Sequence, residues 1–479
     1  MVELHELDAL SQARLVAAGA VSAVELTEHL LTRAERLDPL VGAFLARTPE
    51  LALRQAAAAD RAVAEGAPLS PLHGVAVPVK DLNAVAGQPQ TFGSLALRDN
   101  VAATDDNVVA RLKAAGTVCL GKTNTPEFGL PAYTEGRLGP PARTPWDLTR
   151  SAGGSSGGAA AAVASRIAPL AHGSDGGGSI RIPASACGLV GLKTSRGRVS
   201  PGPSSVDLAG LAVHGPIGRT VPDVAALLDV MAGPWPGDPH WAAPLPEGQS
   251  FLAAAGRDPD RARVARFATP VLADVDVDPQ CLRAWEQASS LLDELGHEVI
   301  DIDPPFDRGV ITAFETVWAC LACLAPVPAE RQDLLMPLTR WLQERGALTS
   351  AREYLVAMVR LHAAARSAAL ALAGVDAVLT PTLARLPMPV GGLRDDADPA
   401  ADFAAQEAFT PWTSLWNVTG QPAISLPLHW TEPTPSAPRG LPVGVMLAGR
   451  PAGEAALLSL AGQLERARPW AQRTPELPE

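Results

Sequence analysis

Apolar positions along the chain change period several times, and each change predicts an element. Over residues 5–35, Leu10, Leu15, Val21, Val24, Leu26, Leu30 and Leu31 supply apolar helical faces, with Gly19 dividing two helices. Residues 49–65 are alanine-rich and predict a further helix. The period then shortens. Gly74–Lys80 is a short apolar run with β-branched residues, which predicts a strand ending at Lys80. Asp105–Ala115 predicts a capped helix and Thr117–Leu120 the next strand. Residues 137–158 carry no period and predict loop, from which a short helix Ala159–Ala164 opens. In the second half, strands are expected at Val264–Ala268, His297–Ile302, Ala377–Thr380, Ala423–Leu428 and Val443–Ala448. Helices are expected over 279–295, 331–345, 350–373 and 454–467. The Pro-rich stretches 233–250 and 431–441 read as surface loops, and no repeat is present. The pattern predicts one α/β domain over 1–479, with a mostly buried sheet and helices on its faces.

Composition narrows what such a domain does. Apolar residues make up 47% and charged residues 19%, which fits a large core and excludes extensive disorder. A formal charge of −12 is a poor match to phosphate backbones or anionic lipid, so neither nucleic acid nor membrane is an expected partner. No apolar run is long enough to span a bilayer. The opening MVELHELDAL carries acids where a secretory leader needs basic residues, so a cytoplasmic protein is expected. The five cysteines form no disulfide or zinc pattern, and Cys320 and Cys323 read as buried thiols on one helix face. Among the 39 basic residues only Lys80, Lys113, Lys122 and Lys193 are lysine. In so arginine-rich a chain, a lysine is a candidate for a place where a guanidinium cannot serve, such as a proton acceptor.

Three motifs compete. Gly116–Thr123 matches the P-loop spacing, but a helix precedes it and Asn124-Thr125-Pro126 follows where the phosphate-binding helix should start, which argues against nucleotide binding. Gly153–Gly157 matches the nucleophile-elbow spacing, but the polar stretch before it, with Pro145, is no strand. The third reading uses more of the chain. Eight glycines fall between Gly153 and Gly178. Ser179 follows Gly176, Gly177 and Gly178, whose N–H groups can converge on one oxygen without obstruction by side chains. Ser155 lies in a glycine-flanked loop. Lys80, if neutral, accepts a proton from Ser179 through Ser155, giving a Ser–Ser–Lys triad without histidine, metal or cofactor. Asp175 and Arg181 read as structural partners of the loop.

The run Gly153–Pro183 resembles the signature of the amidase signature family. Val79-Lys80-Asp81, Leu379–Thr382, Gly420–Pro427 and Pro442–Met446 resemble the same family, so the likeness covers nearly the whole chain. The resemblance implies a large mixed sheet covered by helices. It makes Ser179 the nucleophile, Ser155 the bridging serine beside a cis peptide, and Lys80 the base. It places the oxyanion hole at the N–H groups of Gly176, Gly177, Gly178 and Ser179. Ala171–Lys193 is most similar to the branch containing 6-aminohexanoate cyclic dimer hydrolase and broad bacterial amidases. That implies small linear, cyclic or aryl amides, with carbamates and esters as further candidates, and a monomer or homodimer. The alternative within the family is the glutamine-hydrolysing A subunit of a glutamyl-tRNA amidotransferase, where Glu407 sits near an expected ammonium-binding acid. Expected substrate contacts are Tyr133, Thr134, Gly154, Trp318, Cys320, Phe409 and Trp412.

Overall fold

The computed structural model describes residues 3–477. Eleven strands form one sheet. They are β1 (Phe44–Arg47), β2 (Val79–Lys80), β3 (Gly121–Thr123), β4 (Leu170–Asp175), β5 (Val190–Lys193), β6 (Val213–Gly218), β7 (Arg263–Arg266), β8 (Glu298–Asp301), β9 (Ala377–Pro381), β10 (Ala423–Trp430) and β11 (Pro442–Gly449). Their order is β1-β3-β2-β4-β6-β5-β10-β11-β9-β7-β8. The centre, from β4 to β9, is antiparallel. Parallel pairs flank it, β3-β2-β4 on one side and β9-β7-β8 on the other. The sheet is therefore mixed and mostly buried, as the resemblance implied.

Alternation along the strands decides what each face covers. Val79, Leu170, Leu192, Leu379, Leu426 and Leu447 join one core under helices Val221–Met231, Pro279–Glu294 and Glu454–Ala467. Their neighbours Ala171, Val378, Met446 and Ala448 point the other way, into the cores beneath helices Gly157–Ala164 and Gly309–Ala322. Because Val79 takes the first face, Lys80 takes the second, on the side of the glycine loops. A one-residue slip of β2 would reverse this.

The helix Gly157–Ala164 is wholly buried. Its small side chains let it lie directly on the sheet. A Cβ at Gly158 would fall 2.3 Å from the Asn124 nitrogen and 2.5 Å from the Ala43 carbonyl oxygen. Gly158→Ala is therefore expected to destabilise the protein by about 1–3 kcal/mol, the usual cost of overpacking. Urea unfolding monitored by circular dichroism checks this.

Several sequence expectations shift. The strand expected at Thr117–Leu120 falls at Gly121–Thr123, and Val118 makes only an isolated bridge to Ala76. Of Gly74–Lys80 only Val79 and Lys80 are laddered. The helix expected over 331–345 is broken. A 3-10 turn spans Ala329–Leu334, and Pro337, which cannot donate a hydrogen bond, opens a new helix Pro337–Leu348. Strands β1, β4, β5 and β6 escaped the sequence pattern. In β4 (LAHGSD) and β6 (VHGPIG) polar residues, glycine and proline leave no continuous apolar run. Cys320 is half-buried and Cys323 exposed, which corrects the expectation of two buried thiols.

Candidate active site

Lys80 ends β2 with its side chain fully buried. Its Nζ lies 2.7 Å from Ser155 Oγ and 3.3 Å from the Ser174 carbonyl oxygen. Among the described residues no carboxylate hydrogen-bonds or ion-pairs with it. Burial pushes the ammonium down to about 7, and the field of Asp175 opposes only part of that drop. The other lysines differ. Lys122 is ion-paired with Asp81 at 2.8 Å, and Lys113 with Asp105 at 2.7 Å. Lys193 is also lowered to about 7, by burial and then Arg181, but its Nζ reaches only the Thr194 carbonyl, at 2.9 Å. Lys80 alone meets a hydroxyl. The buried Lys122 ion pair and the strand at Gly121–Thr123 also leave no phosphate cradle at Gly116–Thr123.

Ser155 follows a cis Gly154–Ser155 peptide. The Ser156 N–H donates to the Ser179 carbonyl at 3.1 Å, which pins the two serine loops to each other. Ser179 sits just before the helix Arg181–Cys187 and is 7% exposed, at the floor of a cavity.

The glycine turn before Ser179 is held by a buried ion pair. Arg181 donates through Nε to Asp175 Oδ2 at 2.9 Å and through Nη2 to Oδ1 at 2.8 Å. Asn417 Nδ2 donates to the same carboxylate at 2.9 Å. Burial alone would raise the Asp175 carboxyl, but the Arg181 guanidinium holds it well below the usual carboxylate range. Arg181 Nη1 further reaches the Thr413 carbonyl at 2.7 Å and Met446 Sδ at 3.3 Å. Thr413 Oγ1 donates to the Gly177 carbonyl at 2.7 Å. Asp175 and Arg181 thus shape the loop. Arg181→Ala would leave a buried carboxylate unpaired, with an expected loss of about 3–5 kcal/mol of stability. Equilibrium denaturation checks this, and a change below about 1 kcal/mol would contradict it.

One expectation about the oxyanion hole fails on this geometry. The Gly178 N–H already donates to Asp175 Oδ1 at 2.8 Å. At φ +134° this glycine bends the chain, and a Cβ there would fall 2.5 Å from Thr413 Oγ1. Among the described residues, the N–H groups of Gly176, Gly177 and Ser179 have no protein acceptor.

The cavity at Ser179 is a narrow space of about 60 Å³, walled by Leu130–Ala132, Ile182, Phe314, Trp318, Phe403, Gln406 and Glu407. Of the expected contacts only Trp318 is among them. Tyr133 is buried, with its hydroxyl donating to Asp402 Oδ2 at 2.7 Å. Thr134 Oγ1 donates to the Gly153 carbonyl at 2.9 Å. Gly154 packs on the Tyr133 backbone, where a Cβ would fall 2.6 Å from the carbonyl carbon. Cys320 lies two residues past Trp318 and does not line the cavity. Phe409 packs with Ile182 and Leu393. Trp412 is in the core, with Nε1 donating to the Thr269 carbonyl at 3.0 Å. The wall residues Gln406 and Glu407 precede Phe409 on one helix, Pro399–Phe409. A helical projection places 409 about 60° to one side of 406 and 407 about 100° to the other, a signal too weak to identify a wall. A hollow of about 430 Å³ bordered by Arg257–Ala262, Asp376 and Leu460 is not lined by Ser155, Ser179 or Lys80.

A buried lysine on a serine, a second serine at a cavity wall and amides without a protein acceptor beside it are groups that acyl transfer uses. Known proteins place the chain further. The family model described as Amidase matches residues 25–458. A putative amidase, AmiB2, of Mycobacterium tuberculosis is 40% identical, with 98% of each chain covered. The 6-aminohexanoate-cyclic-dimer hydrolase of Paenarthrobacter ureafaciens is 35% identical, over 98% of this chain and 96% of that one. A solved structure of 6-aminohexanoate cyclic dimer hydrolase superposes with a TM-score of 0.89 at 33% identity, covering 99% of each chain. The chain belongs to the amidase signature family and is a hydrolase acting on carbon–nitrogen bonds. Among the described residues no helix is long and apolar enough to cross a membrane.

Proposed function

We propose that the chain hydrolyses small linear, cyclic or aryl amides through an acyl-enzyme on Ser179. Carbamates and esters are secondary substrates in this reading. The observation that carries it is the 2.7 Å contact between Lys80 Nζ and Ser155 Oγ, with no ion pair to hold a proton on the amine. Lys80, neutral, takes the Ser155 proton as Ser155 takes that of Ser179. The Ser179 oxygen attacks the acyl carbon. The Gly176, Gly177 and Ser179 N–H groups stabilise the oxyanion, each by about 3 kcal/mol. The proton returns along the relay to the leaving amine as the carbon–nitrogen bond breaks. Water then enters by the same relay and releases the acid. The apolar wall of Ile182, Phe314, Trp318 and Phe403 suits an aliphatic or aromatic acyl group. The five free cysteines support a reducing, cytoplasmic setting.

Glu407 favours a second reading, a glutaminase subunit of an amidotransferase. It faces the cavity and has no ion pair among the described residues. Burial, then Glu315, push its carboxyl up to about 7. Amine release by the purified chain on aryl, aliphatic and cyclic amides, a carbamate and glutamine separates the two. Turnover of the first three without any partner supports the stand-alone amidase. Turnover of glutamine alone supports the subunit.

A further inference from the structure

We propose that Asp402, which touches no reacting atom, is a positioning residue. It anchors a hydrogen-bond chain that fixes the cavity wall and the loop carrying Ser155. The chain has a direction. The Ala132 N–H donates to Gln406 Oε1 at 2.7 Å. A backbone N–H only donates, so this contact sets the Gln406 amide orientation. Gln406 Nε2 therefore faces Asp402 and donates to Oδ1 at 2.5 Å. The other oxygen, Oδ2, accepts from the Tyr133 hydroxyl at 2.7 Å and from the Asp395 N–H at 3.0 Å. Three donors converge on one carboxylate, which is itself 1% exposed.

Both ends of the chain meet the site. Gln406 and Ala132 both line the cavity that includes Ser179, so their contact ties two parts of its wall together. Tyr133 follows Ala132 along the chain. Its backbone N, C and O would all fall within 2.7 Å of a Cβ at Gly154, so it presses directly on the residue before Ser155. The next residue, Thr134, bonds the Gly153 carbonyl and the Gly157 N–H. A shift of Asp402 therefore reaches the Ser155 loop through two rigid contacts. The Tyr133 ring is a strut in this arrangement, and its hydroxyl stays a donor because burial pushes its ionisation far up.

Directionality gives the test, for which the amide-hydrolase reading supplies only the reaction. Asp402→Asn keeps the shape but turns an N–H pair toward the Gln406 N–H pair. Adding Gln406→Glu reverses that link, because the new carboxylate accepts from both the amide introduced at position 402 and the Ala132 N–H. The rate of Ser179 modification by a fluorophosphonate ester is measured well below the unfolding temperature. It is expected to fall about tenfold in Asp402→Asn and to return within about threefold of wild type in Asp402→Asn/Gln406→Glu. Tyr133→Phe, which removes one donor and strands no acceptor, is expected to slow modification by about threefold. Amide hydrogen exchange over residues 130–134 reads the same link without any reaction and is expected to quicken in Asp402→Asn and recover in the double variant. Unchanged exchange and modification in Asp402→Asn overturn the proposal. So does a double variant that regains its unfolding temperature but not its rate. Modification that persists in Ser179→Ala instead overturns the nucleophile assignment, while the exchange result still decides the role of Asp402.

Discussion

Replacing Ser179 by alanine is expected to lower kcat/KM for amide hydrolysis by about 10⁵- to 10⁶-fold, the loss seen when a covalent nucleophile is removed. The size follows from what remains. The amides of Gly176, Gly177 and residue 179 still offer donors, and the cavity still binds the acyl group. Yet no side-chain oxygen is left at position 179 to form the ester. Ser179 is on a buried turn held by Asp175 and Arg181, neither of which contacts its hydroxyl. The fold is thus expected to survive the change, with an unfolding temperature close to wild type. Burst kinetics with an activated ester give a second check, because the wild type accumulates an acyl-enzyme and the variant cannot. Amide turnover that persists in Ser179→Ala at more than about a hundredth of the wild-type rate would remove Ser179 from the mechanism.

The second large effect belongs to Lys80. Only the neutral amine accepts a proton, and half of it is neutral at about pH 7. Below that point kcat/KM is expected to fall about tenfold per pH unit, and above about pH 8 it levels off. The sign is that of a base: protonation at low pH stops the relay. An ordinary exposed lysine would place the same limb roughly three units higher, near about 10.4, so the position of the limb reports the burial. Glu407 also titrates near 7, and Glu407→Gln separates the two. With an uncharged anilide the limb is expected to persist in that variant. Lys80→Met is expected to cost about 10³-fold, within the range for a general base. Lys80→Arg is the sharper variant. It keeps a cation and donors at the same place, but a guanidinium does not deprotonate. Its activity is expected to be as low as that of Lys80→Met at every pH up to about 10. An active Lys80→Arg enzyme with a flat profile would rule out Lys80 as the base.

Much of the site was legible along the chain because its chemistry is concentrated in short segments. Gly153–Gly158 and Gly176–Ser179 announce close backbone approach through residue type alone, and the scarcity of lysine drew attention to Lys80. The second-half strands β9, β10 and β11 were also legible, since Ala377–Leu379, Ala423–Leu428 and Val443–Ala448 are predominantly apolar. The pocket was not. Tyr133, Phe409 and Trp412 are aromatic residues near the signature in sequence, but aromaticity does not say which way a ring points. Their rings turn inward, to Asp402, to Ile182 and to the Thr269 carbonyl. The wall instead comes from Phe314, Phe403 and Gln406 on helices distant in sequence from Ser179.

By itself the sequence determined the candidate groups: two serines in glycine-rich loops, four lysines in an arginine-rich chain, and glycines whose backbone amides no side chain covers. It also determined the class of fold, through alternating strand and helix periods. Only the tertiary structure decided which groups act together. β2 lies between β3 and β4, and its alternation turns Lys80 toward Ser155, 75 residues away. The same packing assigned the Gly178 amide to Asp175 and left the amides of Gly176, Gly177 and Ser179 free. The physical reason is that a residue type fixes what a group can donate or accept, whereas burial and partners, which depend on long-range packing, fix whether it is already engaged and in which protonation state it rests.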